Sequence, residues 1–389
     1  MNRRPFIRFA VSALAFGGVL AAAPALAQEV VKIGYSGPLS GGAAQYGKNT
    51  LDGMKFAIDE LNASGFEVAG KKVRFEVVAL DDKYNPAETG INFQRLVQEH
   101  KTPVVMCPHS GGSFAIQTRN VASKTLLLSY TSVPEITARG NPLTLRIPPE
   151  FTTYVPAFVK HAMSTFGKKV AIANADHDYA KAWTKAFVPA WQAAGGEVVA
   201  ENPMSYNRAT DFYSGVSKVL AAKPDVLFIG GASEPTALVV KQARELGFKG
   251  GFVIIDQAKM DQMKVILGGT YAMLEGAIGV LPVIDDATPG AKAFVGSWLK
   301  AYPGRDPASE MSLNYTAMLA TAQAMKLAGT TTDAAAIRAK LDQGFKSLKL
   351  SQNPHNMDGV DAKGGSTAKT RVAVIENGKV REIALSGAK

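Results

Sequence analysis

Hydroxyl side chains directly follow two short apolar runs of this sequence. Ser110 comes after the run 104–107, and Tyr130, Thr131 and Ser132 come after the run 125–129. If the runs are parallel strands of one open sheet, their carboxyl ends share an edge, where such sheets bind ligands. Ser110 also opens a predicted helix, whose free N–H groups attract a carboxylate. Simple capping of that helix by Ser110 or Ser113 is an equally good interpretation.

A carboxylate and two phenols occupy similar positions elsewhere in the chain. Asp256 follows the run 252–255, where it would neutralise a ligand ammonium or, equally well on local grounds, cap the next helix. Tyr46 and Tyr179 would close over an apolar ligand side chain, and the alternative is that they are ordinary half-buried tyrosines. Together these residues indicate the binding of a small solute.

Sequence motifs for catalysis are incomplete. The segment 42–48 reads G-x-x-x-x-G-K, but Asn49 stands where a nucleotide site needs a serine or threonine hydroxyl for Mg²⁺. Its glycines more plausibly let the backbone approach a ligand. The segment 231–235 lacks the last glycine of a G-x-S-x-G elbow. Asp176, His177 and Asp178 have no partner at zinc-ligand spacing. We therefore expect no enzyme, no metal and no cofactor.

The first 27 residues have the pattern of a secretory signal peptide. Three arginines precede the uncharged run 9–23, and Ala25-Leu26-Ala27 supplies a cleavage site before Gln28. The run is shorter than the roughly 20 residues that span a bilayer. The junction carries no cysteine for a lipid anchor. We expect a mature chain of 362 residues, free in a periplasm, with a buried Cys107.

The basic charge does not indicate a nucleic-acid partner. Removal of the three arginines lowers the formal net charge from +10 to +7, and the remaining lysines and arginines are spread along the chain. No basic run exceeds two residues, and none is interleaved with aromatic residues. We interpret the excess as solvated surface charge.

Strand-like and helix-like segments alternate along most of the chain, which is typical of βαβ units with mostly parallel sheets covered on both faces. The predicted strands are 30–35, 73–80, 104–107, 125–129, 170–173, 197–200, 226–229, 252–255, 371–375 and 380–383. The predicted helices are 50–62, 86–100, 180–194, 211–222, 235–246, 293–301, 312–327 and 333–343. The length of the chain predicts two lobes, with a break near the proline pair at 148–149.

Motifs spread along nearly the whole mature chain resemble the leucine/isoleucine/valine-binding periplasmic proteins of ABC transporters. The matching segments are Lys32-Ile33-Gly34, Gly37-Pro38-Leu39-Ser40-Gly41, Ala44-Gln45-Tyr46-Gly47, Asp59-Glu60-Leu61-Asn62, Asp81-Asp82, Pro86-Ala87, Pro134-Glu135-Ile136-Thr137, Lys223-Pro224-Asp225-Val226, Gly230-Gly231 and Ala243-Arg244-Glu245-Leu246-Gly247.

The resemblance implies an α/β fold of two doubly wound lobes, the type I periplasmic-binding-protein fold, with three hinge crossovers. We expect lobe 1 at 28–147 plus 277–350 and lobe 2 at 148–276 plus 351–389. The resemblance also implies a binding protein that captures a branched-chain or related amino acid and delivers it to permease subunits in the inner membrane. A sensor that presents its closed form to a membrane receptor is a second possibility, and a secreted hydrolase is a weaker third.

The resemblance also implies roles for individual residues. Ser110 matches the serine that holds the ligand carboxylate, and Thr131 or Ser132 matches the next hydroxyl position. Tyr46 and Tyr179 match the aromatic residues of the two lobes, and Asp256 matches the acid that receives the ammonium.

Two departures bear on the ligand. Ala232 stands where branched-chain binders tend to carry an aromatic residue. The segment 129–134 is one residue shorter than in the family, so Tyr130 and Thr131 remain alternatives for the ligand contact. An aromatic acid, another small carboxylate or an amide is therefore an alternative ligand.

Overall fold

A computed structural model describes residue 1 and residues 28–384, so the predicted signal peptide lies outside the described residues except for Met1. The first part of the chain forms a sheet with the strand order β2-β3-β1-β4-β5-β6. Its strands are β1 Glu29–Gly37, β2 Glu67–Val68, β3 Lys71–Asp81, β4 Val104–Cys107, β5 Leu126–Ser129 and β6 Thr144–Arg146. Its helices are α1 Ala44–Ala63, α2 Pro86–Gln98, α3 Ser110–Gln117 and α4 Glu135–Ala138. Except for the hairpin strand β2, the strands pair in parallel.

The second lobe is built around a sheet with the strand order β13-β12-β11-β10-β9-β7-β8. Its first strands are β7 Lys169–Ile172, β8 Glu197–Glu201, β9 Val226–Ile229, β10 Gly251–Ile254 and β11 Ala277–Val280. The helices between and before them are α5 Val155–Thr165, α6 Asp178–Ala193, α7 Tyr213–Leu220, α8 Ser233–Glu245 and α9 Met260–Ile266. The last two strands, β12 Val372–Glu376 and β13 Lys379–Ile383, pair antiparallel at one edge.

Between β11 and β12 the chain returns to the first lobe. It forms α10 Pro289–Ala301, α11 Ser309–Ala328 and α12 Ala334–Lys346, which pack with α1 on one face of the first sheet. Helices α2 and α3 cover the other face, where Phe93, Leu96 and the alternate β4 residues Val105 and Cys107 are buried. The chain therefore passes between the lobes three times, and the predicted doubly wound architecture is confirmed.

The structure corrects the predicted lobe boundaries. β11 pairs with β10 and β12, so residues 277–280 belong to the second sheet and not to lobe 1. Met357 is buried in the core of lobe 1, and Gly365 bridges Arg146 of β6, so the last crossover lies close to β12. The short run around Gly279 gives little strand signal because glycine is a weak strand former.

Most predicted elements are present. All ten predicted strands match observed ones within a few residues, and Asn85 caps α2 by accepting from the Ala87 N–H, with Pro86 at the first helical position. Cys107 is a buried free thiol as expected.

Helix α1 crosses α11 at a close approach that depends on glycine. A Cβ atom built on Gly53 would lie 2.1 Å from the Met311 carbonyl oxygen, which is backbone and cannot rotate away. The core of lobe 1 therefore requires a glycine at this position.

We expect Gly53→Ala to lower the free energy of unfolding by about 1–3 kcal/mol, because the helices must separate to admit a methyl group. The control is Gly296→Ala, at an exposed position of α10 where no heavy atom lies within 4 Å of the Cβ position. It should raise stability by about 0.5–1 kcal/mol through helix propensity. Urea denaturation of both variants measures the difference, and equal stabilities would contradict this reading of the interface.

Candidate ligand-binding site

The two lobes meet over a small cavity at the carboxyl ends of strands from both sheets, which we call the cleft cavity. It offers about 20 Å³ to the centre of a water-sized sphere, about enough for one water molecule. Its lining residues are Tyr46, Tyr84, Pro108, His109, Tyr130, Thr131, Ser132, Pro148, Tyr179, Asp256, Gln257 and Lys259. The structure therefore has the lobes closed on each other.

Six of the eight predicted site residues line this cavity. Tyr130, Thr131 and Ser132 all do so, which leaves open which hydroxyl touches a ligand. Ser110 and Ala232 are buried nearby but do not line it. Ser110 begins α3, and His109, rather than Ser110 or Ser113, caps that helix by accepting the Gly112 N–H at Nδ1. Ala232 precedes α8 and packs against the core of lobe 1.

Asp256 lies at the centre of the contacts between the lobes. Its Oδ2 accepts from the Ser132 hydroxyl of lobe 1 at 2.7 Å. Its Oδ1 accepts from the Trp183 indole at 3.0 Å and from the Tyr179 phenol. Burial, followed by the Asp256 charge, raises the pKa of Tyr179 well above its ordinary value, so that phenol is a donor. Asp256 does not cap the next helix, because that helix starts at Met260 after Lys259.

An aromatic stack forms a second contact between the lobes. The ring of Tyr84 lies 4.5 Å from that of His109 in its own lobe and 5.1 Å from that of His177 in lobe 2. The Gln257 amide donates to the Tyr84 hydroxyl at 2.9 Å. His177 caps α6 through Nδ1, and burial lowers its pKa to about 4, so the ring is neutral.

Backbone also contacts backbone across the cleft. The Gly42 N–H donates to the Asn207 carbonyl at 3.4 Å, and a Cβ on Gly42 would lie 2.7 Å from the Tyr206 carbonyl oxygen. The glycine of the G-x-x-x-x-G-K segment thus permits contact with the other lobe, whereas the sequence suggested contact with a ligand.

Sequence reasoning missed Tyr84, His109, Gln257 and Lys259. All four lie just beyond the end of a strand. The same positional rule that selected Ser132 and Asp256 could therefore have identified them. His109 also forms a buried cluster with Asp82 and Cys107, whose potential ligand atoms lie within 4.8 Å of one another. Both ring nitrogens of His109 are already engaged, Nδ1 by Gly112 and Nε2 by Asp82 at 3.0 Å, so we interpret the cluster as an anchor for the α3 cap.

The two hinged α/β lobes and their shared polar cavity define the class of two-lobe solute-binding proteins. A model of the family described as periplasmic binding protein matches residues 30–379. The chain therefore belongs to the periplasmic binding protein family. Its members are solute-binding proteins and not enzymes, as the sequence predicts.

The individual relatives have low sequence identity to this chain, but the matches cover most of its length. The Leu/Ile/Val-binding protein BraC3 of Rhizobium johnstonii is 28% identical over 336 residues, which are 84% of this chain and 86% of the relative. The LivJ substrate-binding protein of Streptococcus pneumoniae, solved with isoleucine, is 23% identical with a TM-score of 0.75, covering 90% and 98% of the two chains. A Rhodopseudomonas palustris solute-binding protein solved with benzoate is 18% identical with a TM-score of 0.76, covering 91% and 95%.

No helix among residues 28–384 is both long and apolar enough to cross a membrane.

Each lobe also holds a buried acid with one oxygen that lacks a hydrogen-bond partner in the described part of the chain. Asp261 is the second residue of α9 in lobe 2, and Glu310 is the second residue of α11 in lobe 1. Burial, followed by the charge of Glu310, raises the pKa of Asp261 to about 7, against the smaller opposing effects of Gln262 and Lys259. Asp261 Oδ1 and Glu310 Oε2 have no hydrogen-bond partner in the described part of the chain.

The contribution of Asp261 to stability should therefore decrease as pH rises from about 4 to about 7. Over this range the folded protein retains the Asp261 proton that the unfolded chain releases, and each pH unit costs about 1.4 kcal/mol. We expect Asp261→Asn to raise the melting temperature relative to the native protein more at pH 8 than at pH 5. Thermal melts of both proteins between pH 5 and pH 8 measure this difference in melting temperature. A difference that does not change with pH would contradict the raised pKa of Asp261.

Proposed function

We propose that this protein is the periplasmic substrate-binding component of an ABC importer, which captures a branched-chain or related amino acid and delivers it to a membrane permease. The observation that carries the proposal is a small cavity in the cleft whose polar lining comes from both lobes. A ligand that contacts both lobes binds the closed form better than the open form, so it shifts the equilibrium toward closure. A permease would then recognise the loaded protein by its closed form, as distinct from the open, empty form.

The chemistry of Asp256 supports an amino-acid ligand. A carboxylate has about four acceptor positions, and the protein uses two on Oδ1 and one on Oδ2. The remaining position on Oδ2 is available for one N–H of a ligand ammonium. The named relatives BraC3 and LivJ, which are Leu/Ile/Val-binding and isoleucine-bound respectively, point to the same ligand class.

The aromatic lining favours a second candidate, an aromatic or other small carboxylate. Four tyrosines, Tyr46, Tyr84, Tyr130 and Tyr179, line the cavity, and their faces suit a flat ring. The benzoate-bound relative has the same fold.

A thermal-shift screen of residues 28–389 distinguishes the candidates, because a ligand that binds only the native state raises the melting temperature. The panel holds the common amino acids together with aliphatic and aromatic carboxylates. We expect the largest shifts with leucine, isoleucine or valine, whereas shifts with aromatic acids alone would select the second candidate. No shift with any member of either class would contradict the proposed function.

Asp256→Asn should lower the affinity for amino acids at least tenfold more than the affinity for the matching deaminated acids. Only the amino acids place an ammonium at Oδ2. The matched control is Ser132→Ala, which removes the bond between the lobes and keeps the charge of Asp256. In titration calorimetry, the control should lower the affinity for both ligand classes equally. An equal loss for both classes in Asp256→Asn would assign Asp256 to closure alone.

A further inference from the structure

A buried lysine that sequence reasoning did not select projects into the cleft cavity. Lys259 is 3% exposed and lies in the segment after β10 that also contains Asp256 and Gln257. Its ammonium donates to the main-chain carbonyls of these same two residues, at 3.2 Å for Gln257. An ammonium has three N–H donors, so one is left over. The loop itself is held independently, because the Lys259 main-chain N–H donates to the Ser233 hydroxyl.

Lys259 forms no direct ion pair in the described part of the chain, although its charge favours the ionised form of Asp261 from a longer distance. Across residues 28–384, no carboxylate oxygen lies within 4.0 Å of its ammonium nitrogen. Burying a charge without an opposite charge is costly. An anion from outside the chain would supply the direct partner that the ammonium lacks.

A second unpartnered group faces the same cavity from the other lobe. The buried Thr131 hydroxyl has no hydrogen-bond partner in the described part of the chain, and the same is true of the Gln257 amide oxygen. A hydroxyl and an ammonium are donors that fit the two oxygens of a carboxylate. The Gln257 oxygen is an acceptor, which fits an N–H or O–H of the same ligand.

The adjoining cavity at the crossovers, which we call the hinge cavity, also favours an anion. It offers about 50 Å³ to the centre of a water-sized sphere and shares Lys259 with the cleft cavity. Arg371 and Lys369 line it as well, and Asp286 there is paired with Arg371. Lys259 and Lys369 therefore face one acid without an ion pair, Asp256, which lines both cavities.

The start of α3, by contrast, is closed off from the cavity. A Cβ on Gly111 would lie 2.7 Å from the Pro86 side chain and 3.5 Å from the Asp178 carboxylate of lobe 2. Neither Ser110 nor Gly111 lines the cavity.

We propose that Lys259 and Thr131 hold the carboxylate of the captured solute, one from each lobe. The inference rests on the proposed function and names the anion-binding residues of the same site. Lys259 then makes binding depend on the charge of the ligand, so that the site accepts carboxylic acids and rejects the amides of the same shape. Closure brings Thr131 to the anion that Lys259 holds.

Two acid and amide pairs test the assignment: leucine with leucinamide, and benzoate with benzamide. Titration calorimetry on residues 28–389 compares the native protein, Lys259→Met and the control Lys264→Met. The control removes a half-buried lysine of α9 that lies over the Tyr271 ring. We expect the native protein and the control to prefer the acid of the bound pair by about 10- to 100-fold. Lys259→Met should reduce that preference at least tenfold through loss of acid affinity, with amide affinity changing less than threefold.

A role of Lys259 in loop structure alone would weaken acid and amide equally, and that result would overturn the assignment. Thr131→Val, which keeps the shape, should reduce the acid preference in the same direction and serves as the second variant if Lys259→Met fails to fold. Loss of the preference in Ser110→Ala, with Lys259→Met unaffected, would instead place the carboxylate at α3. Failure of the native protein to bind either pair or any amino acid contradicts the proposed function, whereas binding without acid preference contradicts only the role of Lys259.

Discussion

A carboxylate enclosed between two protein bodies is stable only where hydrogen bonds replace the water it has lost, and Asp256 meets this requirement in the closed form. One of its three donors, Ser132, belongs to the opposite lobe, while Tyr179 and Trp183 belong to its own. Closure therefore completes the solvation of Asp256. The two lobes are coupled by a polar requirement of this residue as well as by apolar contact.

The position of that carboxylate follows from the direction of the strands. In both sheets the parallel strands end at the cleft, so the residues just beyond β3, β4, β5 and β10 gather there although they are far apart in the chain. The apolar strands supply rigid supports, and the short segments that follow them supply Tyr84, His109, Thr131 and Gln257. This division of roles allows the cavity lining to vary while the sheets stay the same.

The sequence predicts the sheets better than the cavity. Buried β-branched runs such as those of β4 and β9 give a clear strand signal because both of their faces are covered. β11 is missed because its run is short and contains Gly279. The end of lobe 1 is misplaced for a related reason, since the segment around Met357 is irregular and has no periodicity to assign it to either lobe.

For the site, position beyond a strand identifies Ser132 and Asp256, but it does not tell which way a side chain points. Ser110 satisfies the positional rule and yet does not line the cavity, whereas Lys259, three residues after Asp256, does. The direction of these side chains depends on the turn after each strand and on the opposite lobe. Both are tertiary features that no local pattern encodes.

The three crossovers also govern the order in which the molecule acquires its structure during synthesis. The core of lobe 1 joins Val31 and Ile33 of β1 to Phe294, Trp298 and Met318, which lie more than 260 residues later in the chain. The sheet of lobe 2 gains its last strands only after residue 372. Contacts of such long sequence separation form slowly. A growing chain with this topology therefore has neither core complete until almost its entire length has emerged.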